Sequence, residues 1–254
     1  MKKKLVIKIG TSTLTAGTNR ISFAVIESLA RQIVALRQTY DIVIVSSGAI
    51  ATARQFVEIN GFSKKVESKQ AMSAIGQTKL MEIYDTVFGT FGLNIAQILM
   101  TYRDFENDMA NRNTRNTIRK LWEVGYIPVV NENDTVAVEE IVLGDNDRLS
   151  SLVSVIIEAD LLILVSDIDG IFDHNPHLFS EARLIEEVSD THSVKDYIEE
   201  KQSTLGTGGM ASKIHAAETC LAHGVEMWIV NGQRADYLVN ALKGDIPFTK
   251  FKRK

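Results

Sequence analysis

The chain has 254 residues, of which 45% are hydrophobic and 24% charged, and its formal net charge is −4. This composition is typical of a soluble globular protein with one large core, and the acidic balance argues against a nucleic-acid-binding surface. The single cysteine, Cys220, excludes an internal disulfide and a cysteine metal cluster. No apolar run is long enough to span a membrane or to act as a signal peptide, so we expect a cytoplasmic protein without membrane contacts.

Short runs rich in Val, Ile and Leu alternate along the chain with longer segments of helical period. This pattern predicts an α/β fold, a three-layer α/β/α sandwich with a mainly parallel, open sheet. In chain order, the predicted strands are residues 5–9, 42–45, 94–100, 127–130, 161–165 and 227–230. A helix after the first strand carries Ile26, Leu29, Ile33 and Leu36 at helical spacing, and a second helix, residues 113–124, ends at Gly125. The alternation around Val136 and Val138 predicts a hairpin over residues 134–144.

The first predicted strand contains one charged residue, Lys8. Strand alternation places Lys8 on the same face as Val6 and Gly10, and a buried ammonium group there requires an anion. A lysine that protects an exposed sheet edge is the alternative interpretation. A lone glycine at position 10 does not supply the glycine pattern of a dinucleotide-binding fold.

Polar residues follow the other predicted strands. Ligands of open parallel sheets bind beyond the carboxyl ends of the strands, so these residues are candidate site residues. The carboxylate and amides of Asn131-Glu-Asn-Asp134 suit a cationic amine, and the donors of Ser46-Ser-Gly-Ala49 suit carboxylate groups. An amino-acid ligand would satisfy both clusters, although turn formation explains part of each cluster.

Two further motifs precede amphipathic helices. The segment Gly144-Asp-Asn-Asp147 has more acidic and amide groups than a helix cap needs, and the surplus carboxylates could orient lysines or stand near a magnesium ion. The segment Gly206-Thr-Gly-Gly-Met-Ala-Ser-Lys213 combines glycines, a helix start and a lysine, which suits a phosphate group. It lacks the adjacent Gly-Lys-Ser/Thr of a P-loop, and a glycine-rich loop followed by a surface lysine is the alternative.

Five motifs together resemble those of the amino-acid kinase family, and they occur in the family's order over essentially the whole chain. They are the two segments just described and Lys8-Ile-Gly-Thr-Ser, Ser47-Gly-Ala-Ile and Pro128-Val-Val-Asn-Glu-Asn-Asp134. The resemblance implies a single kinase domain, residues 1–254. Residues 1–150 would then bind the phosphoryl acceptor and residues 151–254 would bind ATP.

The resemblance also assigns roles. Lys8 and Lys213 would flank the transferred phosphoryl group, with Asp145 orienting both lysines, and the backbones of Gly10 and Gly48 would approach the phosphates. The acceptor would be held by Ser47, Gly48, Asp134 and Asn146. The ATP site would be lined by Lys8, Gly10, Ser166, Asp167, Thr207, Gly208, Gly209, Met210, Ala211, Ser212 and Lys213. Mg²⁺ would accompany ATP, with no direct protein ligand assigned.

The implied reaction is phosphorylation of the side-chain carboxylate of L-glutamate, the first step of proline biosynthesis. A carboxylate is already ionised at neutral pH, so no general base is needed, and none of the five histidines is a convincing one. The resemblance further implies a homo-oligomer, possible feedback inhibition by proline, and a form without the small C-terminal domain that many such enzymes carry.

Two alternatives remain open. Kinases of N-acetylglutamate, aspartate, carbamate or UMP share the fold, although an acetylated substrate would offer Asp134 no ammonium group. A non-catalytic nucleotide-binding sensor is the other alternative, but binding alone does not require two lysines around the transferred group.

Overall fold

The computed structural model describes residues 2–57, 65–137, 146–174, 176, 178–179, 181–194 and 209–252. Within this part of the chain, eight strands form one sheet. The six parallel strands are β1 (Lys3–Ile9), β2 (Tyr40–Ser46), β3 (Asn94–Met100), β4 (Tyr126–Glu132), β5 (Leu161–Ser166) and β9 (Glu226–Asn231). These are the six predicted strands, so the prediction of a mainly parallel sheet is confirmed.

Four short strands were not predicted. β10 (Thr249–Phe251) runs antiparallel to β9 and parallel to β8 (Glu187–Val188). A separate antiparallel pair is formed by β6 (Ile171–Phe172) and β7 (Leu184–Ile185). Each of these four strands spans only two or three residues, too few for a hydrophobic period to reveal them. The strand order of the large sheet is β3-β4-β2-β1-β5-β9-β10-β8.

Helices cover both faces of the sheet. Their bounds are α1 (Thr11–Leu14), α2 (Phe23–Leu36), α3 (Ala49–Ala53), α4 (Val66–Thr90), α5 (Tyr102–Phe105), α6 (Asp108–Glu123), α7 (Asn146–Ile157), α8 (Met210–Ala222) and α9 (Tyr237–Lys243). Ser22 caps α2, its side chain accepting a hydrogen bond from the backbone N–H of Val25. The predicted helix 113–124 begins earlier than expected, because the Asn107 side chain caps it by accepting hydrogen bonds from two backbone N–H groups. Gly125 follows its end with a φ of +81°.

The predicted hairpin lies largely outside the described residues. Residues 134–136 form a turn after β4, and residues 138–144 are not described.

Strand alternation divides the core into two clusters, one on each face of the sheet. The side chains of Leu5, Ile7 and Ile9 pack with α2, α4 and α9. Val6 lies on the other face, with α6, α7 and α8. Lys8 shares that face, so the charge in β1 is directed towards α7 and α8 at the carboxyl end of the strand.

Candidate active site

Two lysines and one aspartate meet at the carboxyl edge of the sheet. Lys8 Nζ lies 2.5 Å from Asp147 Oδ1, and Lys213 Nζ lies 2.9 Å from Asp147 Oδ2. The Asp147 side chain is only 1% exposed, and the two lysine side chains are 11% and 12% exposed. Two residues that are 205 positions apart in the sequence thus place their ammonium groups on one buried carboxylate.

The local fold explains this convergence. Lys8 is the second-last residue of β1, Asp147 is the second residue of α7, and Lys213 lies in the first turns of α8. Helices α7 and α8 pack together on one face of the sheet, which brings the start of each helix to the end of β1. The Ser212 hydroxyl adds a hydrogen bond of 2.9 Å to Asp147 Oδ2.

Among the described residues, the cluster joins two lysines to one carboxylate. Burial alone would raise the pKa of Asp147, but the ammonium groups of Lys8 and Lys213 outweigh burial and hold the pKa well below its usual range. Asp147 is therefore ionised at neutral pH, and one carboxylate faces two cations. Two lysines beside one carboxylate suit an anionic ligand such as a phosphoryl group.

The orienting role of Asp145 remains a prediction, because Asp145, Thr207 and Gly208 lie outside the described residues. Among the described residues, the carboxylate that contacts both lysines is that of Asp147. The sequence showed two aspartates in Gly144-Asp-Asn-Asp147 but not which of them contacts the lysines. Asp147 lies in the first described turn of α7, and the packing of α7 against α8 brings it to Lys213.

A second group of polar residues lies beside the lysines. The Asn146 amide nitrogen is 2.7 Å from Ser47 Oγ and 3.0 Å from Asn131 Oδ1. Ser47 and Asn146, both predicted acceptor residues, are therefore in direct contact. Asn131 belonged to a predicted cluster but had no individual role, and it donates a hydrogen bond of 2.8 Å to Gln77 Oε1.

Asp134 lies in the turn that follows β4. Its Oδ2 atom accepts a hydrogen bond of 2.7 Å from the Ser73 hydroxyl. Burial raises the pKa of Asp134, and the hydrogen bond from Ser73 offsets part of that rise. The Asp134 carboxyl group is thus partly buried. It takes part in none of the ion pairs found among the described residues.

Two of the predicted site glycines lie near these groups. A Cβ at Gly10 would lie 3.3 Å from Lys8 Nζ, so glycine keeps the space beside the ammonium group open. Gly48 precedes α3 with a φ of +104°, a conformation that favours glycine, and a Cβ there would crowd Leu14 and Ile21. The approach of both glycine backbones to a phosphate group remains a prediction.

The remaining predicted nucleotide residues lie at the ends of β5 and at the start of α8. Ser166 Oγ lies 3.2 Å from Asp167 Oδ1 directly after β5. Gly209 is the N-cap of α8, and Met210, Ala211, Ser212 and Lys213 form its first turns. Their role in ATP binding remains a prediction.

An ion pair that was not predicted joins the segments after β5 and β9. Arg234 contacts both carboxylate oxygens of Asp169, at 2.6 and 2.7 Å, and Asn231 donates to the same group at 3.0 Å. The Arg234 hydrogen bonds hold the pKa of Asp169 below its usual value. This contact fixes the loops beside Ser166 and Asp167 relative to each other.

Within the described ranges, no three His, Cys, Asp or Glu side chains are grouped as a metal site. The same part of the chain contains no helix with the length and apolar character that a membrane span requires.

The sheet topology and the lysine pair define an α/β protein with two lysines clustered at the carboxyl ends of its parallel strands. Residues 3–231 match the amino acid kinase family, and the chain belongs to that family. A solved structure of UMP kinase from Ureaplasma parvum superimposes with a TM-score of 0.68 at 15% identity, covering 100% of both chains, which shows the shared fold.

Curated relatives are considerably more similar in sequence. The chain is 41% identical to a glutamate 5-kinase of Dehalococcoides mccartyi (strain ATCC BAA-2266 / KCTC 15142 / 195), over 98% of this chain and 68% of that protein. It is 43% identical to a glutamate 5-kinase of Geobacter metallireducens, over 95% of this chain and 65% of that protein. A glutamate 5-kinase of Clostridium acetobutylicum is 42% identical, over 98% of this chain and 94% of the relative.

Proposed function

We propose that this protein is a glutamate 5-kinase, which transfers the γ-phosphoryl group of ATP to the side-chain carboxylate of L-glutamate and so begins proline biosynthesis. The names of the curated relatives support the substrate. The observation that carries the proposal is the contact of Lys8 and Lys213 with opposite oxygens of Asp147. That arrangement would present two oriented ammonium groups to the transferred phosphoryl group.

Catalysis would depend on positioning and charge. In a loose phosphoryl-transfer transition state, negative charge is spread over three equatorial oxygens, which Lys8 and Lys213 would neutralise from two sides. Asp147 keeps both ammonium groups in place, so little reorganisation is needed during the reaction. Mg²⁺ would supply further positive charge to the phosphates when bound.

The chemical step requires no protein base. A side-chain carboxylate oxygen of glutamate forms a bond to the γ-phosphorus as the bond from that phosphorus to the β-γ bridging oxygen of ATP breaks. The products are L-glutamyl 5-phosphate and ADP, and the acceptor has no proton to lose at neutral pH.

The acceptor would lie between the two polar groups. The Asp134 carboxylate would bind the substrate ammonium group, since a charged hydrogen bond there would compensate the partly buried carboxylate. Ser47 and Gly48 would bind the carboxylates. The Asn146 nitrogen already donates to Ser47 and Asn131, so Asn146 would contact the substrate ammonium group through its side-chain oxygen. ATP would extend over Ser166, Asp167 and the start of α8.

The direct test supplies ATP and Mg²⁺ with each candidate acceptor and traps the acyl phosphate with hydroxylamine. Hydroxamate from L-glutamate, and not from N-acetylglutamate or aspartate, would support the proposal. Hydroxamate from one of the other acceptors, or phosphorylated UMP, would assign the protein to another branch of the family. Nucleotide binding without turnover of any acceptor would favour a sensor.

We also propose a cytoplasmic homo-oligomer that proline inhibits, as the family resemblance implies. Sedimentation velocity would measure the assembly, and the hydroxamate assay with added proline would measure the inhibition. A monomer at all concentrations, or a rate unaffected by proline, would contradict the respective part of this proposal.

A further inference from the structure

Helix α4 has a line of polar side chains on a buried face. Ser73, Gln77 and Tyr84 are 3%, 7% and 0% exposed. Their spacing of four and seven residues places them on one face of the helix. Buried polar side chains need hydrogen-bond partners, and each of these three has its partner in a segment at the proposed acceptor site.

Each of the three side chains contacts a different residue near the carboxyl end of β2 or β4. Ser73 donates to Asp134, in the turn after β4, at 2.7 Å. Gln77 accepts from Asn131, near the end of β4, at 2.8 Å. The Tyr84 hydroxyl lies 3.0 Å from the hydroxyl of Ser46, the last residue of β2.

The contact with Gln77 completes the hydrogen bonding of a neighbouring amide. Gln77 Oε1 accepts from the Asn131 nitrogen, and the Asn131 oxygen faces the other way. That oxygen accepts hydrogen bonds from Asn146 at 3.0 Å and from the backbone N–H of Glu132 at 2.9 Å. A reversed Asn131 amide would place a donor against the Asn146 nitrogen, which is also a donor. The backbone N–H of Glu132 fixes the polarity of the Asn131 amide, and Gln77 supplies the acceptor for its nitrogen. Gln77 thus supports the contact of Asn131 with Asn146.

Close packing holds α4 against this region. A Cβ at Gly76 would lie 1.8 Å from the carbonyl oxygen of Ala49, so only glycine permits the observed approach of α4 to α3. Ala49 follows Ser47 and Gly48 directly in the chain. The polar face of α4 is therefore fixed at short range beside the predicted acceptor residues.

We propose that Ser73 and Gln77 are positioning residues for the phosphoryl acceptor, acting through Asp134 and through the Asn131–Asn146 pair. The inference deepens the proposed function and rests on it. Neither side chain has a described hydrogen bond to Lys8, Lys213 or the start of α8. Their loss should therefore weaken binding of the acceptor and leave binding of ATP nearly unchanged.

The central variant is Gln77→Met, which keeps the approximate volume and removes the acceptor for Asn131. We expect KM for L-glutamate to rise about tenfold, in keeping with the loss of one oriented hydrogen bond, and KM for ATP to change by less than about twofold. Ser73→Ala should show the same separation of the two KM values. Ser73→Thr, which retains the hydroxyl group, should restore KM for L-glutamate.

Gln32→Met provides a matched control. Gln32 is 2% exposed, and its side-chain oxygen accepts a hydrogen bond from the backbone N–H of Leu238, on the α2–α9 side of the sheet. Thermal unfolding would measure the destabilisation that each glutamine variant causes. Only Gln77→Met should combine destabilisation with a raised KM for L-glutamate.

The outcomes separate the two proposals. A wild-type enzyme that uses a different acceptor overturns the proposed function, and the KM comparison is then made with that acceptor. An active wild type whose Gln77→Met and Ser73→Ala variants alter both KM values equally, or neither, overturns the positioning roles alone. A wild type that turns over none of the acceptors overturns both.

Discussion

At the scale of single residues, the lysine pair makes the strongest prediction. Lys8→Ala or Lys213→Ala should lower kcat by about 100-fold or more, because each removes a preorganised cation from the transferred group. The hydroxamate assay measures this effect, and circular dichroism checks that the variants fold. Lys4→Ala is the matched control, since Lys4 lies in the same strand but donates to the carbonyl of Ile157 at 2.8 Å. Near-normal kcat in both lysine variants would contradict the assignment.

A second residue-scale prediction concerns Asp134 and pH. Burial raises the pKa of this carboxyl group, so its charged form is lost at a higher pH than for an exposed aspartate. If the carboxylate binds the substrate ammonium group, KM for L-glutamate should rise as the pH falls towards that raised pKa. Asp134→Asn should raise KM already at neutral pH and remove this component of the pH dependence. Parallel KM profiles for the wild type and the variant would argue against contact with the ammonium group.

At the scale of elements, two glycines in α4 should respond oppositely to the same substitution. Gly76→Ala places a methyl group against the Ala49 carbonyl and should lower the free energy of unfolding by about 1–3 kcal/mol. Gly89→Ala meets no atom within 4 Å and should raise stability by up to about 1 kcal/mol. Urea unfolding of the two variants measures both changes. Equal effects would mean that α4 does not approach α3 as closely as observed.

The elements also show what the sequence could reveal. Parallel strands buried on both faces appear as continuous apolar runs, so residues 42–45 and 161–165 were predictable as strands. Helix α2 was predictable because Ile26, Leu29 and Ile33 repeat at helical spacing. Helix α4 was not predicted, because its polar residues Ser73 and Gln77 are buried against other polar groups and interrupt the hydrophobic pattern. A helix that supports a site on its buried face lacks the simple amphipathic signal.

At the scale of the whole molecule, the position of the site followed from topology. Parallel strands end at one edge of the sheet, so polar residues after several predicted strands were expected to converge there. The contact of Ser47 with Asn146 and the convergence of Lys8 and Lys213 agree with that expectation. The contacts of Asp147 were not predictable, since they depend on how α7 and α8 pack together. The contacts of Gln77 were not predictable either, because they depend on packing between segments that are distant in the sequence.

The lysine–aspartate cluster also makes a prediction for the stability of the whole molecule. Asp147→Asn leaves two buried ammonium groups without their shared carboxylate and should cost about 3–5 kcal/mol at neutral pH. The folded-state pKa of Asp147 is depressed, so its stabilisation is fully present above the unfolded value of about 3.9 and is lost as the pH falls below it. The stability gap between wild type and variant should therefore be constant from about pH 8 to pH 5 and shrink below about pH 4.

Thermal unfolding across this pH range measures the stability gap, with Asp41→Asn as the control. Asp41 is a partly exposed residue 3.9 Å from the Lys2 ammonium group, and surface pairs of this kind contribute at most about 1 kcal/mol. A gap for Asp147→Asn that is as small as that of Asp41→Asn would mean that the carboxylate does not hold the two lysines together. A gap that changes markedly between pH 5 and pH 8 would mean that a group other than Asp147 controls the cluster.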